Sequence, residues 1–222
     1  GNEEEALRLI DEYVAEHDEF EAHWMRARFL AARGDFARAE TDYERLLGFP
    51  ESREQGYELL AGFHADHGWS DRAMAVLEEG LRIHPDSIAL RRQRMELLFA
   101  RGSDGDREAA LEILVSLERE LPDDPQLMIV RALHMLEDDA PQVRSQTRKK
   151  LERAVQLQPD AVEAHHALIR IAMEQRDHEA ASKYAVAALE ANPDHPDLLL
   201  VASGTLGDQV PVLLPGLQAE VL

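Results

Sequence analysis

The feature that most restricts the fold of this chain is an internal repeat marked by regularly spaced prolines. Five prolines, each at the end of an apolar segment, follow one another at intervals of 35, 37, 37 and 34 residues: Pro50, Pro85, Pro122, Pro159 and Pro193. A period of this length is typical of repeat architectures, in which neighbouring units stack to bury a continuous core. The repeat therefore decides the architecture.

A second, independent series of small residues has nearly the same period. One position recurs at intervals of 34, 37, 37 and 34, at Ala39, Ala73, Ala110, Thr147 and Ala181. An upstream position lies 12 or 15 residues before each of them, at Ala27, Ala61, Met95, Ala132 and Ile169. Two helices that pack ~8–10 Å apart need a small side chain at their crossing, so each pair of positions predicts two crossing helices.

Within each repeat the hydrophobic pattern is helical. Apolar residues recur at i, i+3, i+4 and i+7, as in segments 21–32 and 35–47. A glycine lies in the turn between the two segments of the first three repeats (Gly34, Gly68 and Gly102), where it can take the left-handed conformation that ends a helix. Asp or Ser after such a glycine can cap the next helix. Each repeat is predicted to be helix, tight turn, helix and proline-ended linker.

Several stretches combine these features in the pattern of one repeat family. They are the run from Ala32 to Ala39, then Ala73, Leu77, Gly80 and Pro85, then Ala110, Leu114, Leu117 and Pro122, and finally Ala181, Tyr184, Ala188 and Pro193. The chain thereby resembles bacterial tetratricopeptide repeat (TPR) proteins, although Met95, Thr147 and Ile169 depart from the family's small residues. The resemblance implies an all-α, right-handed superhelical solenoid with about five full repeats and a half repeat at each end.

This register predicts one solenoid over residues 1–207 and a separate tail. Its parts are a half repeat at 3–17, repeats at 20–50, 54–85, 88–122, 125–159 and 162–193, and a capping helix at 196–206. An array that starts and stops within a repeat is expected either of a fragment of a longer protein or of a solenoid with atypical caps. The apolar segment 208–222 contains Pro211 and Pro215 and is expected to pack as a cap, or else to lie in a groove like a peptide ligand.

Composition excludes several classes of function. The chain has 44 acidic and 24 basic residues, a formal net charge of -20, which argues against nucleic acid or an anionic membrane as the main partner. It has no cysteine, which removes disulfides, thiolate metal sites and cysteine nucleophiles. No apolar run approaches the ~18 residues of a membrane span, so direct membrane insertion is not expected. The compartment stays open between cytoplasm and periplasm.

Motifs of catalysis and metal binding are missing from the sequence. It contains no Gly-x-Ser-x-Gly, no phosphate-cradling glycine loop and no His-Glu-x-x-His, so we expect no enzyme activity and no cofactor. His64 and His67 have i, i+3 spacing, and His165 and His166 are adjacent. A metal site needs three or four convergent ligands, which these pairs do not supply. His165 is expected to pack between helices.

The resemblance also implies that the first helix of each repeat lines a concave face that binds a partner protein. In this register the face carries apolar residues interspersed with arginines: Trp24, Met25, Arg28, Leu59, Gly62, Arg92, Gln93, Glu96, Phe99, Ile129, Leu133, His166, Arg170 and Met173. Such a mixture suits a peptide or helix whose apolar side chains dock while its acidic groups meet arginine. The alternative is that the apolar members are core residues and the arginines lie on solvated faces.

Basic residues gather on the second helix of the fourth repeat: Arg144, Arg148, Lys149, Lys150 and Arg153. They form a candidate docking patch for an acidic partner or for the acidic segment 1–21 of a neighbouring copy, or a solvated face paired with nearby acids. The main expectation is a non-catalytic interaction scaffold or adaptor. Its alternatives are a regulatory or substrate-recruiting array of a larger enzyme, such as a glycosyltransferase or protease, and a self-assembling structural module, with homo-oligomers allowed.

Overall fold

The computed structural model of the chain describes residues 2–136 and 140–206, and all regular structure within them is helical. In chain order the helices are α1 (Asn2–Glu16), α2 (Phe20–Ala32), α3 (Phe36–Leu46), α4 (Arg53–Asp66), α5 (Ser70–Ile83), α6 (Ile88–Arg101), α7 (Asp104–Glu120), α8 (Pro125–Met135), α9 (Pro141–Leu157), α10 (Val162–Glu174), α11 (His178–Ala191) and α12 (Pro196–Leu206). A 3-10 turn at Pro50–Ser52 precedes α4. The prediction of an all-α chain of helix pairs is confirmed. No helix in the described ranges is long and apolar enough to cross a membrane.

The described residues group into two compact units, which divide between Ser116 and Leu117 within α7. In the first unit, α2 packs on α3 and α4 packs on α5, while α4 also lies beside α6. In the second unit, α8 packs on α9, α10 on α11 and α12 on α11, while α10 also contacts α8 and α12. One solenoid over residues 1–207 stays a prediction, and the predicted tail at 208–222 lies outside the described residues.

The ten positions predicted at helix crossings are all fully buried. None of them exposes more than 2 % of its surface: Ala27, Ala39, Ala61, Ala73, Met95, Ala110, Ala132, Thr147, Ile169 and Ala181. Side chains at a close crossing have no room to reach solvent, so the predicted register requires this burial. All ten positions agree with the register in their burial, and the contacts of α2 with α3, α4 with α5, α8 with α9 and α10 with α11 bring four of the five predicted pairs together.

Two of the larger residues at these positions are accommodated by their surroundings. Ile169 lies in a core cluster with Ala185, Ala188 and Ala202, whose small side chains leave volume for its extra carbons. The hydroxyl of Thr147 donates a hydrogen bond of 2.9 Å to the carbonyl of Val143, one turn earlier in α9. A buried hydroxyl that is hydrogen-bonded in this way carries no unpaired polar group into the core.

The turn between the two helices of a pair has a left-handed residue in four of the pairs. Gly34, Gly68 and Gly102 have φ values of 79°, 74° and 71°. The turn between α10 and α11 has Arg176 in this place, with φ of 56°. A side chain with a Cβ atom is strained in this conformation, because Cβ approaches the following carbonyl oxygen. The predicted role of the three glycines is confirmed, and the pair formed by α10 and α11 does without one.

Replacing Arg176 with glycine should stabilise the second unit. The substitution removes the strain of about 1–2 kcal/mol that a non-glycine residue has in the left-handed region. Glycine also raises the conformational entropy of the unfolded chain, which offsets part of this gain in stability. We expect a net gain of about 0.5–1 kcal/mol in the free energy of unfolding, measured by urea titration. Gly34→Ala is the matched reversal: an added Cβ meets no atom within 4 Å there, so backbone strain alone should destabilise that variant. A loss of stability in Arg176→Gly would contradict this account.

A buried charged cluster joins α1, α2 and α3 in the first unit. The carboxylate of Asp42 accepts two hydrogen bonds of 2.7 Å from Arg26, and lies 2.9 Å from Nδ1 of His23. Nε2 of His23 lies 2.8 Å from Asp18, and Arg26 also donates to Asp11 of α1 at 3.1 Å. The cluster therefore links carboxylates of α1, α3 and the turn before α2 through two side chains of α2.

Candidate functional site

In the first unit, α2 presents the predicted aromatic and basic residues together. Trp24 packs partly against the core formed by α2, α3 and α4. The guanidinium carbon of Arg28 lies 5.2 Å from the centre of the Trp24 ring, a cation–π distance. Met25, on the same helix, leaves 48 % of its surface in solvent. This helix therefore offers an exposed apolar side chain beside a cation held in place by an aromatic ring.

The predicted residues on α4 and α6 have a partly structural role. Leu59 packs against the same core as Trp24. The side-chain amide of Gln93 donates a 3.0 Å hydrogen bond to the carbonyl of Glu58, which ties α6 to α4. A Cβ atom at Gly62 would lie 3.6 Å from that amide nitrogen, an ordinary van der Waals distance, so the hydrogen bond does not depend on the glycine. Gln93 thus holds two first helices together.

Arg92 and Glu96 lie one turn apart on α6, and Phe99 follows them, half-buried. Desolvation by the surrounding protein raises the pKa of the Glu96 carboxyl, although its side chain reaches solvent, and the charge of Arg92 opposes this rise. The α6 positions predicted for partner binding therefore combine an exposed carboxyl and a nearby arginine with a half-buried aromatic ring.

In the second unit, a cavity of about 500 Å³ lies between α8, α10 and α12. It brings together four residues of the predicted face, Leu133, His166, Arg170 and Met173, with four others: Glu163, Ile169, Val201 and Thr205. Val201 and Thr205 were missing from the predicted set, although 196–206 was expected to be a helix. Continuing the repeat register into that helix would have found them. Ile129, also expected on this face, lies instead in the core and is 3 % exposed.

The walls of this cavity combine exposed apolar surface with an unpaired polar atom. Leu133 and Met173 leave 37 % and 39 % of their surfaces in solvent. His166 is half-buried, and its Nε2 atom is buried without a hydrogen-bond partner among the described protein atoms. An unpaired buried polar atom costs about 1–3 kcal/mol. Arg170 is exposed at the same cavity and adds a positive charge.

The other three histidines of the two pairs seen in the sequence each contact a neighbouring carbonyl or carboxylate oxygen. His165 is 3 % exposed and its Nε2 lies 2.7 Å from the carbonyl of Pro159, which confirms the expected packing between helices. Nε2 of His64 lies 2.9 Å from Glu40, and Nδ1 of His67 lies 2.7 Å from the carbonyl of Phe63. Within residues 2–136 and 140–206, no group of three or more His, Asp or Glu could hold a metal ion.

Two of the five predicted basic residues are occupied by contacts within the second unit. Arg144 hydrogen-bonds to Glu174 of α10. Arg148 donates to Asp177 at 3.2 Å and to the hydroxyl of Tyr184 at 2.8 Å, and lies 5.3 Å from the centre of the Tyr184 ring. Burial and a hydrogen bond to Glu152 raise the pKa of Tyr184 to about 12. Both arginines therefore hold α9 against α10 and α11.

The other three predicted basic residues lie elsewhere on α9. Lys149, Lys150 and Arg153 line a separate cavity together with the end of α7 and the beginning of α8. The basic patch expected from the sequence is thus divided into a structural part and an accessible part. The accessible part consists of Lys149, Lys150 and Arg153.

Solved structures of TPR proteins are similar to this chain. TTC0263, a TPR protein of Thermus thermophilus, has a TM-score of 0.65 and 22% identity, over 85% of this chain and 99% of its own. Yeast Tom70 has a TM-score of 0.74 and 16% identity, over 97% of this chain but 46% of its own. YrrB, described as a TPR protein with an unusual peptide-binding site, has a TM-score of 0.52 and 15% identity, over 88% of this chain and 97% of its own.

Comparison of the amino-acid sequence with known proteins found no related family or protein. No family model matches the chain, and no curated protein does. The similarity to the solved structures lies in the arrangement of the helices, because sequence identities of 22% and 16% mean that few side chains are shared. The helix pairs, the buried small residues at their crossings and these neighbours agree: the chain has the tetratricopeptide repeat fold.

Proposed function

We propose that this chain is a non-catalytic protein-interaction module that binds a peptide or helix of a partner on the face of its first helices. The observation that carries the proposal is the cavity between α8, α10 and α12, with its two exposed apolar side chains, Leu133 and Met173. Pockets that bind ligands are mostly apolar and have a few polar groups that fix orientation. Here Arg170 and His166, which both line the cavity, supply those groups.

The chemistry of the cavity defines the segment that it fits. An apolar side chain of the partner would cover Leu133, Met173 and Val201, and burying one leucine or methionine contributes about 1.5–3 kcal/mol. An acidic group beside it would meet Arg170, and a polar group would hydrogen-bond to His166. A segment with one apolar anchor next to an acidic residue therefore satisfies all three requirements.

The first unit supports the same mode of binding independently. There, Met25 is exposed beside the Trp24–Arg28 pair, which again places apolar surface next to a cation. These residues lie on α2, the first helix of its pair, as His166 lies on α10. The peptide-binding site named for YrrB, whose fold is similar, agrees with this use of the fold.

Two of the groups with shifted pKa values have structural roles. The pKa of Tyr184 is strongly raised, and that of Asp42 is lowered. Both groups are hydrogen-bonded inside structural clusters and line neither cavity of the second unit. Catalytic groups are expected in a cleft, where their shifted pKa values can serve a substrate.

Met173→Glu should abolish binding of peptides selected on the intact chain. A displayed peptide library would be panned on the chain, and the affinity of enriched peptides measured by fluorescence anisotropy. A charge at Met173 removes apolar surface and repels the acidic group that Arg170 attracts, so we expect at least about a tenfold loss of affinity.

Lys183→Glu is the matched control, because Lys183 is an exposed basic residue on α11, the second helix of the same pair. It should leave the affinity unchanged, and circular dichroism should show that both variants are folded. Enriched peptides that bind Met173→Glu as tightly as the parent chain would contradict the proposed site.

A further inference from the structure

We propose that the second unit has another docking site, which takes an acidic segment of a partner protein that carries an apolar side chain. The site is a cavity of about 410 Å³ between the end of α7, the beginning of α8 and the middle of α9. The residues that line it are Glu118, Leu121, Pro122, Asp124, Leu127, Met128, Lys149, Lys150 and Arg153. It shares no residue with the cavity between α8, α10 and α12.

The floor of this site is apolar and rigidly placed. Leu127 is 1 % exposed, and Met128 is partly buried and packs against the core formed by α8, α9 and α10. Leu121 is half-buried, and Pro122 is exposed at the rim. Leu121, Pro122 and Met128 leave apolar surface in contact with water above the buried Leu127, and a partner's leucine, methionine or phenylalanine side chain can cover it.

The wall formed by α9 carries uncompensated positive charge. Lys149 and Lys150 make no hydrogen bond or ion pair with any part of the chain that the structure describes. Arg153 has one ion pair, to Asp123 at 3.9 Å, and both side chains of that pair are largely exposed. Exposed pairs at such a distance contribute little, so a carboxylate of a partner can replace Asp123.

The acidic residues at the cavity already have other partners. Glu118 accepts hydrogen bonds of 2.7 and 3.2 Å from Arg131. Asp124 caps α8 by accepting a 3.0 Å hydrogen bond from the backbone N–H of Leu127. A carboxylate that is fixed by such contacts is not available to reach across to the lysines. The positive charge of Lys149 and Lys150 therefore faces the solvent.

These features select a protein segment over a nucleic acid. The chain as a whole has a formal charge of -20, and its field repels a long polyanion, whose binding depends on neutralising many phosphates. A short acidic segment is affected mainly by charges within the screening length, about 8 Å at physiological salt. The apolar floor adds a requirement that a protein side chain meets and a phosphate backbone does not.

The test is fluorescence anisotropy with a short labelled peptide composed of Glu, Asp, Leu and Phe. All variants carry Met173→Glu, and Met173→Glu alone is the parent, so that the cavity between α8, α10 and α12, which fits similar segments, does not contribute. We expect saturable binding that weakens as salt is added, and a loss of at least about tenfold in the double variant Lys149→Glu with Lys150→Glu. A variant of equal charge change, Lys183→Glu with Arg176→Glu, should bind like the parent. Lys149→Gln with Lys150→Gln, which removes charge without reversing it, should bind with intermediate affinity.

Other results would overturn the proposal. One is the absence of saturable binding, and another is a loss of affinity that is the same in both charge-reversed variants. The proposal also fails if the peptide binds as tightly after Gln and Asn replace its acidic residues, or after Ala replaces its Leu and Phe. Tighter binding of a labelled single-stranded oligonucleotide would assign the lysines to nucleic acid instead. Met173→Glu should leave binding at this site intact, so this test is separate from that of the proposed function.

Discussion

Replacing Asp42 with alanine is expected to lower the free energy of unfolding by about 3 kcal/mol. Asp42 is 3 % exposed and pairs with Arg26 and with His23, which is 7 % exposed. Without the carboxylate, the side chains of Arg26 and His23 stay largely buried but lose the hydrogen-bond acceptor that offsets the cost of removing them from water. Removing one member of a buried charged pair typically costs about 3–5 kcal/mol. The partial exposure of Arg26 places this case at the lower end.

The control for this prediction is Glu79→Ala. Glu79 and Arg82 form an ion pair of 2.7 Å, close to the distances in the Asp42 cluster, but both side chains are exposed. Exposed pairs contribute about 0.2–1 kcal/mol. Urea titration of both variants measures the loss in the free energy of unfolding. The comparison shows whether that loss in Asp42→Ala comes from the burial of the charged cluster or from ion pairing alone. Equal losses in Asp42→Ala and Glu79→Ala would show that the buried cluster stabilises the fold no more than an exposed ion pair does.

The effect of Asp42→Ala should also depend on pH in a defined direction. Burial alone would raise the pKa of Asp42, but hydrogen bonds from Arg26 and His23 outweigh burial and hold the pKa below its ordinary value. Stability from such a group is complete above the ordinary carboxyl pKa of about 3.9 and is lost as the pH falls through the lowered value. The stability difference between the parent chain and Asp42→Ala should therefore shrink in acid.

Enlarging the small residues at the helix crossings should have the next largest effect. Ala73 lies at the crossing of α4 and α5, and Ala181 at the crossing of α10 and α11; both are fully buried. Leucine at either position would force the two helices apart or into strained rotamers, which typically costs about 1–3 kcal/mol. Each substitution should lower the midpoint of thermal unfolding in proportion.

Ala187→Leu is the control for Ala181→Leu, because both alanines lie on α11 and Ala187 is exposed. Leucine and alanine have similar helix propensities, so the exposed substitution should change stability by less than about 0.5 kcal/mol. An unchanged melting curve for Ala73→Leu and Ala181→Leu would mean that the assigned crossings are wrong.

The sequence predicts the fold well because its signals are periodic. Crossing positions such as Ala39 and Ala110 recur with every repeat, and Gly34 and Gly68 recur in the turns. A repeated constraint is visible even where one repeat departs from it, as at Ile169. The departure becomes understandable only in the structure, where three alanines of α11 and α12 belong to the same core cluster as the isoleucine.

Contacts between polar side chains are not periodic, and the sequence analysis missed them. Asp42 and His23 are 19 residues apart, and nothing in their local sequence indicates that they meet. Arg148 and Lys149 are adjacent basic residues, yet Arg148 pairs with Asp177 while Lys149 faces the solvent. Which cation is free depends on helix rotation and on acids in another helix. Those relations are set by packing.

The most direct test of peptide binding on the first-helix face is methyl NMR of the chain with a peptide selected on it. We predict that the methyl signals of Leu133, Met173 and Val201 shift on titration, since these side chains line the cavity between α8, α10 and α12. Signals from Leu121 and Met128, at the basic cavity, should stay in place. Shifts confined to Leu121 and Met128, or to residues of the second helices, would contradict the proposed function.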